Sequence, residues 1–119
     1  MATKTLTDQN FDAELVAPDK IVLVIFYDDN SSNRYLIEPG MVKLDGQYGQ
    51  QVKFCRINTR ENHKTTEHFR VFTSPTILFF RDGKPVDSLE GTFPRVVVEN
   101  IIRKLITEKG GDGLSPSRT

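Results

Sequence analysis

Residues 20–27, KIVLVIFY, constrain the fold more than any other stretch of the chain. After Lys20 the run is apolar and almost wholly β-branched or aromatic. Successive side chains of a strand point to opposite faces, so a run without alternation is apolar on both. It predicts a strand buried on two sides, at the centre of a largely parallel sheet with helices packed over each face. From Ile21 to Tyr27 it is also the longest apolar run in the sequence, and far too short to span a bilayer.

The flanking sequence predicts the elements that would cover such a strand. Thr7 reads as an N-cap followed by Asp8 in a first turn, with Phe11, Leu15 and Val16 at helical spacing. Pro18-Asp19 closes that helix. Beyond the central strand a polar loop leads into a helix from about Asn33 to Gln47, with Pro39 inside it as a kink and Gly46 and Gly49 at its end. VKFCRIN, residues 52–58, alternates and predicts a second core strand. Asn62 is placed to cap a short helix carrying His68, Phe69 and Val71. PTILFF (75–80) and PVDSLEG (85–91) predict two strands joined by the turn Arg81-Asp82-Gly83-Lys84. A last helix starts near Pro94, with Val97, Ile101, Ile102 and Leu105 as its apolar stripe. The fold class is therefore α/β: a central mixed sheet of four to five strands with helices on both faces.

A chain of 119 residues is the size of one domain. The expected organisation is a domain over residues 1–109 and a flexible tail over 110–119, GGDGLSPSRT, rich in Gly, Ser and Pro. Sixteen basic and sixteen acidic residues cancel, and no basic stripe marks a nucleic-acid partner. MATKTLTDQNF lacks the apolar core of a secretory signal, so the expected compartment is the cytoplasm and no membrane role is expected. The single cysteine, Cys55, forms neither an internal disulfide nor a multi-cysteine metal site.

The order of these elements, with its punctuation, resembles the thioredoxin family over roughly residues 5–107. "LTDQNF" is similar to the family's first-helix entry and "VLVIFY" to its central strand. Pro39 stands where the family kinks its second helix. "TSPTILFF" is similar to the segment in which a cis-proline starts a strand, and "RDGKPVDSLEGT" to the closing hairpin, with Gly91 at the expected glycine. The resemblance implies the thioredoxin fold. It also implies where a redox motif would stand: Ser31-Ser32-Asn33-Arg34 replace Cys-Gly-Pro-Cys, Asn30 replaces the aromatic residue before it, and Ile25 replaces the acidic residue of the central strand. Nucleophile, resolving thiol and proton-handling carboxylate all depart together.

Other chemistry finds little support. Thiol–disulfide exchange needs a thiolate, and a serine hydroxyl is far too weak an acid for a helix terminus to substitute for one. A serine nucleophile needs an oriented base, and His63 and His68 fall in or beside the third helix, away from the loop. Their five-residue spacing does not make a metal pair. No catalytic residue, metal or cofactor is expected. Cys55, in a core strand, is expected to be an inert side chain. Arg34, in the first turn of a helix, opposes the dipole, which favours pairing with Asp28 or Asp29, or readiness for an anionic group of a partner.

By resemblance Ser74-Pro75 is the cis-proline bond, and the backbone of the residue before it pairs with an extended peptide as a strand edge does. The implied partner-binding groove consists of Asp28, Asp29, Asn30, Ser31, Ser32, Asn33 and Arg34, of Thr73, Ser74 and Pro75, and of Gly91, Thr92 and Phe93. The expected function is a redox-inactive protein-binding or assembly module, with a protein or extended peptide as partner and a homodimer among the arrangements it allows. The alternatives are a weak thiol–disulfide oxidoreductase working through Cys55 and a structural subunit of a larger complex.

Overall fold

In a computed structural model, which describes residues 3–28, 34–91 and 94–108 (for 34–39 the backbone alone), the run Ile21–Tyr27 is the middle strand of a five-stranded sheet. The elements in chain order are β1 (Lys4–Leu6), α1 (Phe11–Glu14), β2 (Ile21–Tyr27), α2 (Arg34–Tyr48), β3 (Val52–Asn58), α3 (His63–His68), β4 (Thr76–Arg81), β5 (Lys84–Glu90) and α4 (Arg95–Thr107). The sheet order is β1-β3-β2-β4-β5. β3 runs parallel to both β1 and β2, β4 is antiparallel to β2, and β5 is antiparallel to β4. This is the mixed, helix-covered sheet that the sequence and its resemblance imply.

The unbroken apolar run is explained by two separate cores. Leu23 and Ile25 pack on one side with Met41, Leu44, Phe54, Ile77, Phe79, Val98, Ile102 and Leu105, under α2 and α4. Val22, Val24 and Phe26 pack on the other with Phe11, Leu15, Cys55, Ile57, Val71, Leu78 and Phe80. Each large side chain withdrawn from water contributes about 1.5–3 kcal/mol, and β2 serves both layers. Four of the aromatic rings on the α1 and α3 side, Phe11, Phe26, Phe69 and Phe80, meet in tilted and edge-on pairs 5.4–6.4 Å apart.

Several local expectations are corrected. The first element is a strand: Lys4–Leu6 pairs with Cys55–Ile57, and three residues are too few to leave a periodic signal. Thr7 does not cap α1; its hydroxyl takes the Gln9 and Asn10 amides in a turn, and the helix starts only after Asn10. Asn62 precedes α3, but its side chain makes no cap. It accepts the Asp8 amide at 2.8 Å and donates to the Asn58 carbonyl at 2.9 Å. The cap comes from Asp8, whose carboxylate accepts the Lys64 and Thr65 amides. On α4 the buried stripe is Val98, Ile102 and Leu105, one position round from Val97. Gly46 lies inside α2, and Gly49 follows its end, where a Cβ would come within 2.7 Å of the Asp45 carbonyl oxygen.

The hairpin forms as expected. Arg81 pairs with Lys84 across Asp82 (φ 54°) and Gly83 (φ 78°), the two left-handed positions of a two-residue turn. The ladder shifts by one residue between Phe79 and Phe80, and Pro85 lies on the outermost strand, where its missing N–H costs no ladder bond. The Arg81 guanidinium also donates to the Leu105 carbonyl near the end of α4.

Candidate functional site

The topology brings three of the segments singled out in the sequence to one edge of the sheet. β2 ends at Tyr27, β4 begins at Thr76 and β5 ends at Glu90. Phe26 lies opposite Thr76, and Thr76 opposite Glu90. Antiparallel pairing therefore places the residues after β2, before β4 and after β5 side by side.

Hydrogen bonds fasten them. The Asp28 amide donates to the Ser74 hydroxyl at 2.9 Å, joining the first segment to the second. The Gly91 amide donates to the Pro75 carbonyl at 2.9 Å, joining the second to the third. The Thr76 hydroxyl donates back to the Thr73 carbonyl and closes the turn. The Ser74–Pro75 peptide bond is cis. Pro75 is buried, so its ring belongs to the floor of this edge rather than to its surface; Thr73 is exposed and Ser74 half-buried. Among the described residues, neither the N–H nor the C=O of Ser74 has a hydrogen-bond partner.

Of the expected groove residues, Asp28, Thr73, Ser74, Pro75 and Gly91 meet here. Arg34 opens α2 as a backbone position. Its side chain, Asp29, Asn30, Ser31, Ser32, Asn33, Thr92 and Phe93 lie outside the described residues.

Two features of this edge escape a reading by sequence alone. The first is Arg60, which approaches Asp28 at 3.9 Å, with both side chains partly exposed. Arg60 is presented by a turn in which the Asn58 side chain accepts its amide at 3.0 Å. The signal was an asparagine at the end of a strand two residues before the turn, the spacing at which Asx side chains mimic backbone. Below that turn the bond from Asn62 to Asn58 and the bond from Asp8 to Asn62 continue inward, so the loop rests on a buried polar ladder. The second is Phe72, 84% exposed immediately before the turn. Its neighbour Val71 fills the core, and no periodicity distinguishes the two.

The titratable groups offer little chemistry. Cys55 is fully buried in β3, with Lys4 on one side and Val24 on the other in the strand register. Burial pushes its thiol up to about 11, and the nearby Lys53, Glu14 and Lys4 charges only modify that. Such a group stays protonated near neutral pH and is a poor nucleophile. His63 and His68 are exposed on α3. Among the described residues no three His, Cys, Asp or Glu side chains gather as metal ligands, and no helix is long and apolar enough to cross a membrane. Ile25, at the position implied for the family's acidic residue, is buried among apolar side chains of the α2 and α4 layer.

Comparison with known proteins converges on the same family. The thioredoxin family model matches residues 2–104. Thioredoxin 2 of Chlorobaculum tepidum is 32% identical over 105 residues, covering 88% of this chain and 93% of its own length. The thioredoxin of Alicyclobacillus acidocaldarius is 33% identical over 98 residues, covering 82% and 92%. That of Bacillus subtilis is 30% identical over 104 residues, covering 87% and 98%. Sheet order, the cis-proline turn beside the end of the central strand, and similarity over nearly the whole described chain agree: the chain belongs to the thioredoxin family.

Proposed function

We propose that this chain is a redox-inactive member of its family, acting as a protein-binding or assembly module through residues 28–34 and 73–76. The observation that carries the reading is the state of its sulfur. The sequence holds one cysteine, and that cysteine is fully buried within a strand paired on both sides. A dithiol couple needs two thiols, one of them an accessible thiolate. Where the resemblance puts the motif, the sequence reads Ser31-Ser32-Asn33-Arg34.

What supports binding is the edge itself. Ser74 keeps its backbone groups unpaired among the described residues, and such groups add an extended peptide as a further strand would be added. The partner is a protein or an extended peptide, and self-association into a homodimer belongs to the same reading. The compartment proposed is the cytoplasm, where a single thiol remains reduced.

Two measurements test this together. In an insulin-reduction assay with a dithiol donor, the purified protein turns over no faster than the donor alone. Affinity capture from native extract yields a partner whose recovery falls for Asp29→Ala or Arg34→Ala. Turnover at a rate typical of dithiol catalysts, abolished by Cys55→Ala, overturns the reading in favour of a thiol enzyme. Recovery that ignores the loop but fails with substitutions on the exposed face of α4 overturns it in favour of a structural subunit.

A further inference from the structure

Among the described residues Phe72 is the one phenylalanine left to solvent, 84% exposed. Phe11, Phe26, Phe54, Phe79 and Phe80 are buried, and Phe69 packs against the same rings. Phe72 is not on a loose segment. The Arg70 and Val71 amides bond back to Glu67 and Thr66 at 3.1 and 3.0 Å, Val71 is buried, and the Thr73 carbonyl is taken by Thr76. The backbone on both sides is therefore fixed, and the ring is held out in advance of any contact.

Its neighbour Arg70 stands at φ 55°, where the chain turns out of α3, and is exposed. Among the described residues no carboxylate pairs with it, Glu67 one turn earlier included. Arg60, also at this edge, already faces Asp28. The segment between α3 and the cis-proline turn thus carries an exposed apolar ring and, two residues before it, an exposed cation unpaired among the described residues.

Resting on the groove reading above, we propose that Phe72 and Arg70 form the specificity end of that groove. They would receive an extended peptide with an apolar side chain next to a carboxylate. Phe72 stands two residues from Ser74, at most about 7 Å along the chain, within reach of a side chain of a peptide paired on the Ser74 backbone. The peptide's apolar side chain packs on the ring there, and its carboxylate meets Arg70, whose planar fork suits a carboxylate. The anchor is aromatic and pre-positioned, the kind of residue that dominates peptide interfaces.

The test uses ¹⁵N-labelled full-length protein and three short end-blocked synthetic peptides. One carries a phenylalanine flanked by glutamates, the second has lysines for the glutamates, and the third has alanine for the phenylalanine. The expected result is that the glutamate–phenylalanine peptide shifts the Ser74 and Phe72 amide resonances most and binds tightest. Phe72→Ala weakens it about tenfold, and Arg70→Glu weakens it and turns the preference toward the lysine peptide. Both positions are exposed, so retained spectral dispersion verifies that the variants fold. If the peptides perturb Ser74 but ignore both substitutions, or if the native protein prefers the lysine peptide, this proposal is overturned while the groove reading stands. If no peptide perturbs residues 72–76, both are overturned.

Discussion

Asp8 accepts hydrogen bonds from both the hydroxyl and the amide of Thr65, at 2.7 and 2.9 Å, across 57 residues of sequence. The carboxylate thereby fastens the start of α3 to the turn that follows β1. Together with Asn62, which accepts the Asp8 amide, it makes a reciprocal lock between the two segments.

The lock has a pH signature. Partial burial pushes the Asp8 carboxyl up, but the Thr65 hydroxyl and amide, the Lys64 amide and the Lys64 charge together outweigh it, and the group lies below the ordinary 3.8. A carboxylate with a depressed folded-state pKa stabilises the protein above its unfolded value and loses that contribution as pH falls through the folded one. Asp8→Asn keeps an acceptor oxygen but removes the charge at the start of α3, and is expected to lose about 0.3–1 kcal/mol above pH ~5. The gap between the two proteins closes at lower pH. Urea unfolding at several pH values checks this; a pH-independent gap contradicts it.

Cys55 should be silent toward thiol reagents in the native state. With its thiol at about 11, only about one molecule in a thousand is ionised at pH 8, and the strand shields even that. A chromogenic disulfide reagent is expected to titrate one thiol in guanidinium and almost none without it. Cys55→Ala should fold, at a cost of about 1 kcal/mol for the small cavity.

Tyr48 ties α2 to α4. Its hydroxyl donates to Glu99 at 2.6 Å and accepts from Arg103 at 3.2 Å, and Arg103 also pairs with Glu99 at 3.2 Å. The Tyr48 hydrogen bond leads the effects that hold Glu99 below its ordinary value, ahead of the opposing burial and the Arg103 and Arg95 charges. Tyr48→Phe is expected to move the Glu99 titration upward while leaving Asp8 unchanged, as followed by carboxyl ¹³C resonances.

Gly83→Ala should destabilise the hairpin. At φ 78° an L side chain crowds the following carbonyl, a cost of about 1–2 kcal/mol. Thermal unfolding should register it as a lower Tm. Gly46→Ala serves as the contrast: its Cβ meets nothing within 4 Å, and alanine is the better helix former by about 1 kcal/mol, so Tm should rise.

The sequence was most legible where one force decides the outcome. β2, the hairpin and α2 follow from an unbroken apolar run, a two-residue turn and helical punctuation, all of them local. β1 was illegible because Lys4–Leu6 are a strand only by virtue of β3 beside them. The capping of α3 misled for a related reason. Asn62 has the right chemistry in the right place, yet a competing carboxylate arrives from residue 8 and Asn62 turns to serve it. At the candidate site the meeting of Asp28, Ser74 and Gly91 follows from strand order. Arg60 and Phe72 do not, because exposure at a turn is a property of the assembled edge and not of local pattern.

The outer margin of β5 has a consequence for crowded solutions. Pro85 offers no N–H, the register shift beside it leaves Val86 without a cross-strand mate, and Lys84, Asp87 and Glu90 put charge along the rim. A second copy cannot prolong the sheet there in regular fashion. The chain can be concentrated without templating ordered fibres from that side.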